Sequence, residues 1–171
     1  MASTAPCAPC TWAATVPAAA AEQAIRAALW PGAPWSTAAQ FCWECPEYPC
    51  PRYDGFGDGD SFVPHRNRQQ DIAQARELGL EAYLAQLEEK RAILDKLLAY
   101  YNDGRRKTLF NTAVHLLLLE DLRSVMAALD SRPELAEQTV KDRALAAVGL
   151  LQEAADRQGI SLKLNKKQKK G

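Results

Sequence analysis

Histidine and the common catalytic motifs are scarce in this sequence. Only His65 and His115 are present, so a histidine-based active site has little to draw on. The chain has no G-x-S-x-G, no P-loop and no G-x-G-x-x-G before a predicted helix. His115 lies in the apolar run "TAVHLLLL", where a hydrogen-bonded core or interfacial histidine is the usual outcome. These absences argue against an enzyme.

An excess of charge of one sign is also lacking. The 21 basic and 21 acidic residues balance, so no global field draws the protein towards nucleic acid or an anionic membrane. Two local basic stretches are able to contact phosphates: Arg105, Arg106 and Lys107 between two predicted helices, and Lys166, Lys167, Lys169 and Lys170 in the C-terminal tail. Nucleic-acid association through these stretches is the alternative function.

Long hydrophobic runs are absent. The most apolar run, residues 116–119 with their neighbours, is far shorter than the ~20 residues that span a bilayer. The N-terminus does not resemble a secretory signal, since it lacks a basic start and its Ala-rich region is interrupted by Pro17, Glu22 and Arg26. We therefore expect a cytoplasmic protein without a membrane segment. In that reducing compartment, five cysteines, an odd number, favour thiols or metal ligands over a disulfide framework.

From about residue 68 onward the chain has helical periodicity. The first short helix contains Ile72 and Ala75 and ends or bends at Gly79. A longer helix follows, and its apolar stripe consists of Leu80, Leu84, Leu87, Leu94 and Leu98, broadened by Tyr83, Ile93 and Leu97. The turn-forming sequence at 102–104, Asn-Asp-Gly, predicts where this helix ends.

Further apolar faces follow along the second half of the bundle. One runs over residues 109–129, and Glu120-Asp121 is the predicted division into two helices. The sequence "SRPE" from Ser131 has the pattern of a capping box and predicts the start of the last helix, which Gly159 closes. The tail then alternates, as a short strand or an extended arm does, at Ile160, Leu162 and Leu164. The predicted fold class is all-α, a helical bundle of three to five helices.

The chain divides into residues 1–67, a Cys/Ala/Pro-rich segment, and residues 68–171, the helical bundle with a basic C-terminal tail. Within residues 1–40, fifteen alanines predict a short helix over 18–29, while five prolines interrupt the remainder. Residues 51–67 form a loop by composition. Its acidic residues lack the distal glutamate of a calcium-binding EF-hand loop, so we expect a solvated turn; they are Asp54, Asp58 and Asp60.

The most distinctive feature is the spacing of the cysteines, which predicts a metal site. They occur as Cys7-x2-Cys10 and as Cys42-x2-Cys45-x4-Cys50. Two residues between cysteines allow both sulfur atoms to turn towards one ion, and two such pairs are the usual way to build a closed tetrahedral zinc site. Binding of zinc would also stabilise a segment whose apolar content is too small to fold it alone. The role of such a metal is structural, because closed thiolate sites leave no open position for a substrate.

Two ligand sets satisfy this spacing. Cys7, Cys10, Cys42 and Cys45 form one set and leave Cys50 over, whereas Cys42, Cys45 and Cys50 need a fourth ligand such as His65. An iron–sulfur cluster held by the same thiols is the less favoured cofactor, because the Ala- and Pro-rich gap between the pairs does not resemble a compact cluster loop. The "CAPC" sequence resembles a thioredoxin motif, but no strand precedes it and no βαβ pattern follows.

Aromatic residues surround the cysteines and suggest what the segment contacts. They are Trp30, Trp35, Trp43, Tyr48 and Tyr53. Tryptophan and tyrosine anchor protein interfaces, so a protein partner is one interpretation. The other, which we favour for these residues, is that they cover the metal loop and dock it on the bundle. The predicted function is a small metal-binding protein-interaction module whose partner is another macromolecule or a small ligand.

The run "CWECPEYPC", followed by "DIAQARELGLEAYLAQ", resembles the small bacterial proteins of the family DUF3795. Members share cysteine pairs near the N-terminus, a C-x-x-C-P-x-Y-P-C segment and a helix entered through an LGLEAYL-like phrase. The match is close over residues 42–50 and looser over residues 68–90. The resemblance implies zinc or another metal at Cys42, Cys45 and Cys50. The chain departs from the family in having no cysteine over residues 11–41.

Overall fold

A computed structural model of the chain describes residues 41–55 and 57–166. Within these residues there are five α-helices and no strand, which confirms the predicted helical bundle. The helices are α1 (Arg68–Leu78), α2 (Leu80–Tyr100), α3 (Lys107–Leu116), α4 (Leu119–Asp130) and α5 (Val140–Arg157). Three short 3-10 turns accompany them, at Cys42–Glu44, Pro51–Tyr53 and Pro133–Glu137. The helix predicted over residues 18–29 lies outside the described residues.

Gly79 alone separates α1 from α2. Its backbone has φ 81° and ψ 152°, a conformation that costs little only for glycine. The chain therefore changes direction in one residue, and the predicted boundary at Gly79 is confirmed. The two helices pack against each other.

The core lies where α2 meets α3, α4 and α5. Its largest fully buried side chains are Phe110, Leu97, Leu117, Leu122, Leu129 and Leu151. On α2 the buried centre of the apolar stripe is formed by Tyr83, Leu94 and Leu97, while Leu84 and Leu98 are half-buried at its edge. The stripe is broad because α2 packs against helices on several sides.

The division between α3 and α4 falls earlier than predicted. Leu117 and Leu118 adopt extended backbone with ψ 150° and 148°, and the helix resumes at Leu119. Glu120 and Asp121, the predicted break, instead occupy the first turn of α4. Carboxylates are favourable there because they lie at the positive end of the helix dipole.

The predicted capping box at Ser131 is wrong. Ser131 ends α4: its Oγ donates a hydrogen bond to the carbonyl of Ala128 at 2.9 Å. The residues that follow form the 3-10 turn Pro133–Glu137, and α5 begins only at Val140. Its N-cap is Thr139, whose Oγ1 accepts a hydrogen bond from the Asp142 amide at 3.3 Å.

The C-terminal tail is an extended arm that is fixed to the loop preceding α1. Gly159, with φ 67°, closes α5 as predicted, and Leu162 is buried against the core. The carboxylate of Asp60 accepts hydrogen bonds from the amides of His65 at 2.8 Å and Asn165 at 2.7 Å. The Asp60 amide in turn donates to the carbonyl of Asn165 at 2.9 Å. We call this arrangement the Asp60 clasp.

Arg66 completes the Asp60 clasp. Its guanidinium lies 3.3 Å from the Asp60 carboxylate and donates to the carbonyls of Ser161 and Lys163. The Asp60 side chain is fully buried. The loop was expected to be a solvated turn, and at Asp60 that expectation is wrong, because its carboxylate is used entirely within the protein.

Candidate functional site

Cys42 and Cys45 lie at the two ends of one tight turn. The 3-10 turn Cys42–Glu44 is closed by a hydrogen bond from the Cys45 amide to the Cys42 carbonyl at 3.1 Å. Residues three apart in sequence are nearly eclipsed in 3-10 geometry, so this type of turn favours placing the two cysteines on one side. Both residues are half-buried, and neither forms a disulfide within the described residues.

Cys50 belongs to a second turn. It is the N-cap of the 3-10 turn Pro51–Tyr53, and its carbonyl accepts a hydrogen bond from the Tyr53 amide at 3.0 Å. Between the two turns lies the cis peptide bond Tyr48–Pro49. His65, the other predicted ligand, is placed near Ser61, with 3.0 Å between Nε2 and the Ser61 Oγ.

The predicted ligands are therefore distributed unevenly. Over residues 41–55 and 57–166, no group of three or more histidine, cysteine and acidic side chains is arranged to hold a metal ion. The structure brings Cys42 and Cys45 together on one turn, but it does not gather Cys50 and His65 with them into such a group. Cys7 and Cys10 lie outside the described residues. Cys42 and Cys45 have the spacing that zinc thiolate sites use, and metal binding by this pair stays a prediction.

Aromatic side chains flank the cysteine turn and the turn packs on α1. Phe41 and Trp43 are stacked, with ring centroids 4.2 Å apart, and Tyr48 meets Tyr53 edge to face at 5.6 Å. Docking of the cysteine segment on the bundle requires a contact of this kind, and the turn Cys42–Glu44 makes it with α1. Burial and the nearby Cys42 raise the pKa of the Tyr48 hydroxyl, while Arg76 of α1 acts in the opposite direction. Trp30 and Trp35 lie outside the described residues.

The structure describes four of the seven basic residues of the alternative function. Arg105 and Lys107 are exposed in the loop between α2 and α3 and at the start of α3. Arg106 is half-buried, and its Nε lies 3.5 Å from the carboxylate of Asp103. Lys166 is exposed, whereas Lys167, Lys169 and Lys170 lie outside the described residues. Nucleic-acid association stays a prediction.

Three half-buried ionisable residues, Asp71 of α1, Lys90 of α2 and His115 of α3, were not predicted as a group. The Lys90 Nζ donates to the carbonyl of Leu117 at 2.9 Å, where α3 ends and its last carbonyls need donors. The His115 Nδ1 lies 2.8 Å from the carbonyl of Asn111, as expected of a hydrogen-bonded histidine at an interface. The charge of Lys90 acts on both Asp71 and His115.

Burial shifts the proton affinity of all three groups. It raises the pKa of Asp71 from 3.8 to about 6, although the charges of Lys90 and Arg68 oppose this. It lowers the pKa of Lys90, and the Asp71 carboxylate offsets part of that shift. It also lowers the pKa of His115, against the effect of the hydrogen bond to Asn111. One signal of this group was present in the sequence: Lys90 falls on the same helical face as Tyr83 and Leu94.

No family model, curated protein or solved structure has significant similarity to this chain. The resemblance of residues 42–50 to DUF3795 stays a prediction. Among the described helices, none combines the length and the apolar composition needed to cross a membrane.

Proposed function

We propose that the chain is a zinc-binding protein-interaction module in which Cys42 and Cys45 supply two of the four thiolate ligands. The observation that carries the proposal is the tight turn Cys42–Glu44 with its C-cap Cys45, which presents two cysteines separated by two residues and packs on α1. Zinc thiolate sites use pairs with this spacing. Cys7 and Cys10 form the second pair with the same spacing and complete the proposed ligand set.

The composition of the cysteine segment supports a structural role for the metal. Residues 41–55 contain no buried side chain, although many of them are half-buried. A segment without a core of its own gains its order from contacts elsewhere or from a bound ion. A zinc ion held by four thiolates would stabilise the turn, and it would leave no coordination position for a substrate.

The interaction surface that we propose includes Phe62. Its side chain is 91% exposed, which is unusual for a large aromatic residue. Its carbonyl nevertheless accepts a hydrogen bond from Asn111 Nδ2 of α3 at 3.1 Å, so the backbone is attached to the bundle while the ring faces solvent. Exposed aromatic side chains on a fixed backbone are typical interface anchors.

The test of the metal site is elemental analysis of the full chain, purified without oxygen, together with a thiol count before and after chelation. We expect about one zinc per chain, lost in Cys42→Ser and Cys45→Ser and in the corresponding variants of Cys7 and Cys10. Cys50→Ser is the matched control and should retain the metal. Loss of zinc in Cys50→Ser and His65→Ala instead would favour the other ligand set.

Two further outcomes would overturn the zinc assignment. Bound iron with visible absorption would indicate an iron–sulfur cluster. Absence of metal, with all five thiols reactive at once, would remove the site altogether.

The interaction role has its own test, because Phe62 can be changed without touching the core. Phe62→Ser should reduce crosslinking to a co-purifying protein and leave the melting temperature unchanged. The control is Leu145→Ser, since Leu145 is also exposed but lies on α5. Retention of nucleic acid that falls steeply with salt, in place of a protein partner, would favour the alternative function.

A further inference from the structure

A cleft of about 340 Å³ lies where α2 and α4 end and α5 begins. Its apolar wall includes Tyr100, Tyr101, Leu129, Pro133 and Leu135. Leu129 and Leu135 are buried, whereas Tyr100 is 58% exposed. The cleft thus offers apolar surface and one solvent-facing aromatic ring to a ligand.

Three cationic side chains and one carboxylate also line this cleft: Lys96, Arg132, Arg143 and Asp130. Lys96 and Asp130 satisfy each other, since the Lys96 Nζ lies 2.7 Å and 2.9 Å from the two carboxylate oxygens. Within residues 41–55 and 57–166, neither Arg132 nor Arg143 has an ion pair or a side-chain hydrogen bond. Two guanidinium groups therefore remain uncompensated beside one apolar wall.

Arg143 is placed where helix stability alone does not favour it. It lies near the N-terminus of α5, where the positive end of the helix dipole repels a cation. Its Nε is buried and has no hydrogen-bond partner in the described part of the chain. A buried donor without a partner is costly and rare, and an absent ligand or water is a usual explanation.

We infer that this cleft binds a small organic anion, a carboxylate or phosphate group carried on an apolar body about the size of one ring. The guanidinium groups of Arg132 and Arg143 donate to the anionic group, because their planar forks match carboxylate and phosphate geometry. The apolar wall and Tyr100 cover the body of the ligand. The volume lies at the lower end of the range for small-molecule sites, so one ring with its anionic group fits within it.

This inference is independent of the proposed zinc site, because none of its residues belongs to the cysteine segment. The probes are benzoate and phenyl phosphate, which carry the two head groups on the same ring. Benzyl alcohol keeps the ring without the charge, and inorganic phosphate keeps the charge without the ring. Binding is followed by NMR titration of the backbone amides of the full chain.

We expect saturable shifts at Arg132, Arg143 and Tyr100 with at least one of the two aromatic anions. The head group that binds more tightly identifies the natural class. Inorganic phosphate and benzyl alcohol should bind much more weakly than that anion.

Two variants test whether Arg132 and Arg143 contact the anionic group. Arg143→Gln and Arg132→Gln should each weaken binding about tenfold, the effect of losing one charge-assisted hydrogen bond. Arg91→Gln is the matched control, since Arg91 is an exposed arginine of α2 that lies outside the cleft and 3.8 Å from Glu88. Should Arg143→Gln fail to fold, the exposed Arg132 decides the matter.

Three results would overturn the inference. The first is the absence of saturable shifts at the cleft with both aromatic anions. The second is equal binding of benzyl alcohol, which would make the charge irrelevant. The third is equal weakening by Arg91→Gln, which would indicate attraction by the general charge of the surface.

Discussion

Asp71 binds its proton more tightly in the folded chain than an exposed aspartate does. Its pKa is about 6 instead of 3.8, because burial penalises the carboxylate more than Lys90 and Arg68 favour it. Between these two pH values the folded chain holds a proton that the unfolded chain has lost. The free energy of unfolding therefore falls as the pH rises from about 4 to about 6, and above that range this cost is constant.

Asp71→Asn should remove this cost. At pH 7 we expect the free energy of unfolding to rise by about 3 kcal/mol, because the amide keeps the shape of the carboxyl and carries no buried charge. The gain should shrink as the pH falls from 6 towards 4, where wild-type Asp71 regains its proton. Urea unfolding at several pH values measures both effects.

Asp95→Asn serves as the control for this change, since Asp95 is an exposed aspartate of α2. It should change the free energy of unfolding at pH 7 by no more than about 0.5 kcal/mol. A loss of stability in Asp71→Asn at pH 7 would show that the carboxylate is needed in its charged form.

In the Asp71→Asn background, the contribution of His115 to the pH dependence of stability becomes visible, and it has the opposite sign. Its lowered pKa makes stability fall as the pH drops below its ordinary value of 6.5.

At the residue scale, part of the group formed by Asp71, Lys90 and His115 could be predicted from the sequence. The helical period places Lys90 on the buried face of α2, between Tyr83 and Leu94. It does not show that Asp71 and His115 approach Lys90, because α1 and α3 reach it through tertiary packing. The hydrogen-bonded fate of His115 was predicted, since an ionisable side chain within an apolar helical run needs a partner when it is buried.

At the scale of the elements, Gly79 is the residue on which the α1–α2 junction depends. Gly79→Ala should lower the free energy of unfolding by about 1–3 kcal/mol, because its φ and ψ lie in a region that is essentially restricted to glycine. No neighbouring atom lies within 4 Å of the added Cβ, so the cost comes from the backbone alone. Thermal unfolding followed by circular dichroism measures it.

Gly149→Ala provides the matched control on α5. Its position is exposed, its Cβ would likewise meet nothing within 4 Å, and its backbone is helical. We expect this variant to be more stable than the wild type by about 0.5–1 kcal/mol, since alanine favours the helix interior. Equal effects of the two substitutions would contradict the assigned backbone conformation of Gly79.

The start of α5 gives a second prediction for the elements. Thr139→Ala should destabilise the protein by about 1 kcal/mol, because it removes the side chain that accepts from the Asp142 amide and donates to its carboxylate. Ser131→Ala should cost less, because the Ser131 Oγ serves only the end of α4. Denaturant midpoints of the two variants decide between the observed cap and a capping box at Ser131.

Most elements could be predicted because their signals are local. Apolar periodicity gave the existence of the helices, and Gly79 and Gly159 ended two of them as expected. The boundary at Ser131 was wrong because the same hydroxyl can end one helix or begin the next, and the local sequence fits both. The break at Leu117–Leu118 contains no turn-forming residue. The carbonyl of Leu117 accepts a hydrogen bond from Lys90, which lies far away in sequence.

At the scale of the whole molecule, the Asp60 clasp connects the loop before α1 to the tail after α5. Asp60→Ala should lower the free energy of unfolding by about 3 kcal/mol, because Arg66 and two backbone amides lose the buried carboxylate that they share. Hydrogen exchange at the amides of His65 and Asn165 should accelerate together.

Asp58→Ala is the control for this prediction, since Asp58 is exposed in the same loop. Its effect should stay within about 0.5 kcal/mol. Faster exchange at His65 with an unchanged Asn165 would show that the loop and the tail are not held by one carboxylate.

The clasp also marks the limit of what the sequence reveals. Asp60 is one of three aspartates in a glycine-rich loop, and nothing local distinguishes it from Asp54 and Asp58. Its partner, Asn165, is 105 residues away, so the interaction depends on the complete bundle. The same holds for the cleft with Arg132 and Arg143, since its wall is assembled from three helices and a turn. The cysteine spacing was visible at once, because a turn with two thiols is a local structure.

The sequence distance across the clasp has a consequence for the order in which the protein acquires its structure during synthesis. At the usual rates of translation, Asn165 is added roughly 5–20 s after Asp60. For that interval the loop behind the cysteine turn lacks its anchor, although Cys42 and Cys45 have already been made. The thiols are therefore exposed to the ions and oxidants of the cell before the tail anchors the loop that follows them. Any metal that they bind can be bound while the chain is still attached to the ribosome.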